Sequence, residues 1–218
     1  LDLPGHGFTK ALTRQRKHLR NIVDQIYNLL QEINFIPEII LGHSAGAVIA
    51  YELAKKLENI PYTVAINAAF GQFSGLAGVA FPYFAKIAAA TTIPARLFNI
   101  LANKQDLVQK LISGTGSTIP SGQLRCYQHL FTRPDHVDGT LQMMADWELG
   151  DFLDQLPRDT SPIHFFVGEK DKTVPSHISH SWARVISNST LTECKGLGHL
   201  MHEEDPCTVS SILKKNFN

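Results

Sequence analysis

Ser44 stands in Gly42-His43-Ser44-Ala45-Gly46, a G-x-S-x-G pattern. The apolar run Pro37–Leu41 before it is predicted as a buried strand, and the apolar-periodic stretch Ala45–Leu57 after it as a helix. Strand, sharp turn and helix in that order make a nucleophile elbow. The turn is strained, small residues flank the serine where backbones crowd, and the hydroxyl is thrown clear of the sheet. A serine hydroxyl is a weak nucleophile at neutral pH; it needs a base, and the base needs an orienting carboxylate. Both are present at predicted strand ends. Asp171 follows a strand over 163–168, and His199 follows a strand over 190–194, in Gly196-Leu197-Gly198-His199. In this reading Ser44 attacks, His199 moves the proton and Asp171 orients His199. The Ala45 N–H is expected as one oxyanion donor. The second donor is expected on a loop after an earlier strand, which would precede Leu1.

Each assignment has rivals. His202 competes with His199 but is expected on the start of a helix, whereas Gly198-His199 lies at the loop apex. Glu169 and Asp138 compete with Asp171. His43 is expected to pack its ring under the elbow, and His6 to stabilise the Gly5-His6-Gly7 turn. The sets His136-Val137-Asp138 and His177/His180 have metal-ligand residue types, but neither shows a third ligand. No metal and no cofactor are expected.

A helix over Thr13–Ile33 places Leu19, Ile22, Val23, Ile26, Leu29, Leu30 and Ile33 on one face. A strand is predicted over Tyr62–Ala68, a helix over Ser176–Ile186, and a closing helix over Glu203–Phe217. Alternating strands and helices imply a parallel sheet with covering helices. The alternation breaks between Gly71 and about Trp147, which is too long for a loop and reads as an inserted helical cap. The domains are therefore 1–70, first part of the core; 71–160, cap; and 161–218, second part of the core. Within the cap, Val79–Ala102 is apolar but interrupted by Pro82, Lys86, Pro94 and Arg96, short of the roughly 18 clean residues of a membrane span. Its aromatic residues Phe81, Tyr83, Phe84 and Phe98 are expected to line a site for an apolar or amphiphilic substrate. A peripheral membrane contact is the other use of such a surface.

With 20 Lys plus Arg against 20 Asp plus Glu, the formal net charge is zero, so no nucleic-acid partner is expected. A hydrophobic fraction of 44% supplies a real core. Cys126, Cys194 and Cys207 lack metal-type spacing and read as reduced thiols, which fits a cytoplasmic location.

Four segments together resemble the α/β-hydrolase superfamily: Asp2-Leu3-Pro4-Gly5-His6-Gly7, Gly42–Gly46, the Gly-x-x-Asp loop at 168–171, and Gly198-His199. The resemblance covers the whole chain and implies the α/β-hydrolase fold, with the family's N-terminal strands preceding Leu1. Within it, three segments are similar to the magnesium-chelatase accessory hydrolases (BchO-like) of bacteriochlorophyll biosynthesis. They are Gly114-Thr115-Gly116-Ser117, the run Arg133–Trp147, and Gly196–Glu204. That resemblance implies a tetrapyrrole-related substrate and association with magnesium chelatase. It leaves open a non-catalytic tetrapyrrole-binding or chelatase-assisting role, and haloperoxidase- or acyltransferase-like chemistry on the same three residues.

Overall fold

A computed structural model describes residues 1–10, 18–71 and 105–217. Among these, the strands are β1 (Ile39–His43), β2 (Tyr62–Ile66), β3 (Ile163–Gly168) and β4 (Ser189–Cys194). The helices are α1 (Leu19–Glu32), α2 (Ala45–Lys56), α3 (Gln105–Gly114), α4 (Ser121–Phe131), α5 (Pro134–Ala145), α6 (Gly150–Gln155), α7 (Ser176–Val185), α8 (Met201–Glu204) and α9 (Pro206–Phe217). The chain groups into two compact units. One holds 1–36, 71–108 and 124–154; the other holds 37–70, 109–123 and 155–218.

The second unit carries the sheet, in the order β1-β2-β3-β4 with every pair parallel. Its register aligns the carboxyl ends. His43 lies opposite Ile66, Ile66 opposite Phe166, and Gly168 opposite Cys194. The loops that follow β1, β2, β3 and β4 therefore leave from one rim, where open α/β sheets place their ligands. All six residues of β3 are buried, as a strand covered on both faces requires. On one face Phe165 meets Phe70 edge-on at 5.5 Å, and Phe70 meets Tyr51 of α2 at 5.9 Å. On the other, Phe166 joins Val64, Ile66, Cys194, Met201 and Val209. α2 packs on β1 and β2, and α7 on β3 and β4. On the other side β1 is the edge of the described sheet, with Leu41 52% exposed.

Three elements differ from the sequence reading by more than one residue. The strand expected over 37–41 runs from Ile39 into the glycine motif, because Pro37 has no N–H for a ladder. The strand expected to reach Ala68 stops at Ile66, because Asn67 adopts a left-handed φ of 45°. The closing helix is two helices. Pro206 restarts it as α9, and the Asp205 carboxylate accepts the Thr208 amide at 2.9 Å, the bond of an N-cap. Of the helix expected over 13–33, residues 13–17 lie outside the described residues.

In the first unit, the loop 2–9 and α5 are tied together. The Gly7 amide donates to His136 Nδ1 at 3.1 Å, and the His6 and His136 rings meet edge-on at 5.8 Å. The Arg133 guanidinium lies 4.7 Å over the Phe8 ring. Two of the segments that carry the family resemblance thus support each other. Burial and the neighbouring His6 hold His136 below the ordinary imidazole range.

Candidate active site

Three loops that leave one rim of the sheet carry the sequence-predicted residues: Ser44 follows β1, and Asp171 after β3 touches His199 after β4. Ser44 joins β1 to α2 with φ 54° and ψ −120°, a conformation that a side-chain-bearing residue adopts only under constraint. The constraint is visible in the end of β2. The Ser44 amide donates to the Ile66 carbonyl at 2.9 Å, and the Ala69 amide donates to the Ser44 carbonyl at 3.1 Å. Gly42 is required sterically, since a Cβ there would overlap the Gly46 carbonyl. Gly46 differs: a Cβ there would meet no described atom within 4 Å, so crowding accounts for only one of the two flanking glycines. Ala45 is the first residue of α2. Amides in a helix's first turn have no intrahelical acceptor and sit at the positive end of its dipole, which suits them to a developing oxyanion.

The Asp171 and His199 loops meet directly. His199 Nδ1 lies 2.7 Å from Asp171 Oδ2, with the Asp171 side chain fully buried and that of His199 8% exposed. The other carboxylate oxygen, Oδ1, accepts the Thr173 amide at 2.7 Å and the Val174 amide at 2.9 Å. Three contacts thus fix the carboxylate's orientation. A carboxylate can only accept, so Nδ1 of His199 carries a proton and the other nitrogen, in the neutral ring, is free to act as a base.

The rivals are engaged elsewhere. Glu169 accepts the Gly196 amide at 2.7 Å, and Asp138 accepts the Gln142 side-chain amide. His202 is on α8, as expected for a helix start, 3.7 Å from Glu203. His180 lies 3.8 Å from Glu193 on β4. Phe81, Tyr83, Phe84 and Phe98 lie outside the described residues.

His43 does more than pack under the elbow. Its ring lies 4.6 Å from both the His199 and the His202 ring, and its Nε2–H donates to the His199 carbonyl at 2.8 Å. Burial, then the nearby His199 and His202, lower its pKa to about 3, so it is neutral across the working range. Burial is also the main cause holding His202 below the ordinary imidazole range.

Asn67 was not singled out by the sequence. It is 1% exposed. Its Nδ2 donates to the Gly198 carbonyl at 3.0 Å and the His199 carbonyl at 2.8 Å, and its Oδ1 accepts the Gly168 amide at 2.8 Å. One amide therefore joins the exit of β3 to the His199 loop, while the nearby backbone of Ile66 and Ala69 holds Ser44. The only sequence signal was an asparagine at a strand exit, a residue type that tolerates the left-handed conformation.

The sequence profile of the Alpha/beta hydrolase family matches residues 1–211. The chain belongs to this family. Among its relatives, the magnesium-chelatase 30 kDa subunit of Rhodobacter capsulatus is 40% identical over 202 residues, which are 93% of this chain and 70% of that protein. The uncharacterized hydrolase YugF of Bacillus subtilis (strain 168) is 23% identical over 96% of this chain and 76% of that one. The alpha/beta hydrolase fold is shared with an esterase from Exiguobacterium antarcticum: TM-score 0.76, 16% identity, 99% of this chain and 79% of the esterase. It is shared equally with MenH from S. aureus: TM-score 0.74, 19% identity, 100% and 83%. No helix among the described residues of this alpha/beta hydrolase is long and apolar enough to cross a membrane.

Proposed function

We propose that this chain is a serine hydrolase acting on an ester or related acyl bond of an apolar or amphiphilic small molecule. The observation that supports it most is the Asp171–His199 bond at 2.7 Å on the same sheet rim as the strained Ser44. In the proposed cycle His199 removes the Ser44 hydroxyl proton as Oγ attacks the acyl carbon, and the Ala45 N–H stabilises the oxyanion. The proton passes from His199 to the leaving alcohol. Water, deprotonated by His199, then releases the acid and restores Ser44. Asp171 keeps Nδ1 protonated and stabilises the imidazolium. The test is turnover of p-nitrophenyl esters of increasing acyl length. Wild type should hydrolyse them with a preference for longer chains, and Ser44→Ala should fall to background. Equal rates in the two proteins would overturn the reading.

A second reading is favoured by the 40% identity to the magnesium-chelatase 30 kDa subunit. Here the chain binds a tetrapyrrole or assists magnesium chelatase, in the cytoplasm or at a membrane surface, with or without chemistry at Ser44. Titration with protoporphyrin, followed by absorbance, should shift the porphyrin bands under this reading; unchanged spectra at saturating protein would contradict it. Restoration of bacteriochlorophyll in cells by Ser44→Ala would separate binding from catalysis.

A further inference from the structure

The segment Gly114-Thr115-Gly116-Ser117, part of the family resemblance, takes no part in the proposed chemistry. Yet it touches both loops that carry it. On the acid side, the Lys172 amide, next to Asp171, donates to the Thr115 carbonyl at 3.0 Å. Gly116, at φ +87°, sits so close to the other neighbour that a Cβ would overlap the Lys170 carbonyl oxygen. On the base side, Ser117 is 2% exposed, and its Oγ accepts the Leu200 amide, next to His199, at 2.8 Å. A Cβ on Gly198 would overlap the Gly116 carbonyl. Glu204 closes the ring: Oε2 accepts the Thr118 amide at 3.2 Å and Oε1 the Gly198 amide at 2.8 Å. The residues immediately before and after both Asp171 and His199 are thus fixed to one turn from a distant part of the sequence.

We propose that the turn Thr115–Thr118 is a positioning clasp, with Ser117 as its central side chain, that holds the Asp171 and His199 loops in the register their hydrogen bond requires. The proposal rests on the hydrolase reading for its catalytic consequence, but the register itself can be observed without turnover. Ser117 is a positioning residue; it reaches the reacting atoms only through His199. A buried amide such as Leu200 N–H must keep an acceptor, and losing it would let the base loop drift. Displacement of a catalytic group by about 1 Å can cost on the order of 10²-fold in rate.

The experiment compares wild type, Ser117→Ala, Glu204→Gln and a control, Ile163→Ala, which removes core volume at the opposite end of β3. Two quantities are read on folded protein: the far-downfield proton resonance of His199 Nδ1–H, and the rate at which a fluorophosphonate labels Ser44. Ser117→Ala should lose or broaden the resonance and label ~10- to 100-fold more slowly. Glu204→Gln, which keeps one of two acceptor oxygens and so disturbs folding less, should show the same changes to a smaller degree. Ile163→Ala should melt at a lower temperature yet keep both signals. The proposal is overturned if Ser117→Ala, or Glu204→Gln where Ser117→Ala does not fold, keeps the wild-type resonance. A wild type that shows the resonance but does not label would instead sink the hydrolase reading, and leave the clasp to be decided by the resonance alone.

Discussion

The side chain of Asn67 donates to the carbonyl of His199 at 2.8 Å, and it does so from the first residue beyond β2. This ties the His199 loop to a strand exit that also grips Ser44 through Ile66 and Ala69. Asn67→Ala should leave the buried Gly168 amide without an acceptor, costing about 1–3 kcal/mol. Ester turnover should fall ~10- to 100-fold as the His199 loop loosens. Asn67→Asp keeps the acceptor for Gly168 but turns a carboxylate toward two carbonyls, so its turnover should be no better than that of Asn67→Ala. Thermal melts and initial rates check both; wild-type rates in both variants would contradict the assignment.

Asp171→Asn tests the tautomer argument. The amide oxygen can stay on the Thr173 and Val174 amides, which leaves its NH2 group facing His199 Nδ1. That contact favours the tautomer whose proton sits on the wrong nitrogen. Turnover should drop by ~10³–10⁴ with little change in melting temperature. A loss of only a few-fold would mean that another carboxylate serves His199.

Ser44 carries conformational strain that glycine would not. Ser44→Gly should abolish turnover and raise stability by roughly 1–2 kcal/mol, seen as a melting temperature higher by about 2–8 °C. Ser44→Ala should abolish turnover without that gain. A Ser44→Gly protein no more stable than Ser44→Ala would show that the elbow is not strained.

The strand ends were readable because apolar runs and the residues after them are local. Ser44 and Asp171 each follow such a run, and β3 has the boundaries its apolar residues predict. Asn67 and Ser117 were not readable in the same way. Their partners, Gly168 to His199 for one and Leu200 for the other, lie far along the sequence, and no periodicity announces them. The division of the final helix is signalled by Asp205-Pro206, an N-cap followed by proline, inside the single helix expected over Glu203–Phe217. His43 was legible as a buried ring but not as a donor to His199.

Stability should fall as the protein is acidified. His43 is held at about 3 against an ordinary value of 6.5, chiefly by burial, and burial lowers His136, His164 and His202 as well. Below about pH 6.5 the unfolded chain takes up protons that the folded chain refuses, so unfolding stability rises with pH through this window. It is fully present above 6.5 and, for His43, is lost progressively down to about pH 3. Urea midpoints between pH 8 and 4 should show this slope, and His43→Gln, which can still donate to the His199 carbonyl, should show a shallower one. Parallel slopes in the two proteins would remove His43 as a cause.

The most direct test of the hydrolase account is mass spectrometry of the protein after exposure to a fluorophosphonate. The account predicts one adduct, mapped to Ser44, which is absent in Ser44→Ala and strongly slowed in His199→Ala. A folded wild-type protein that acquires no adduct, or acquires it at a residue other than Ser44, would contradict it.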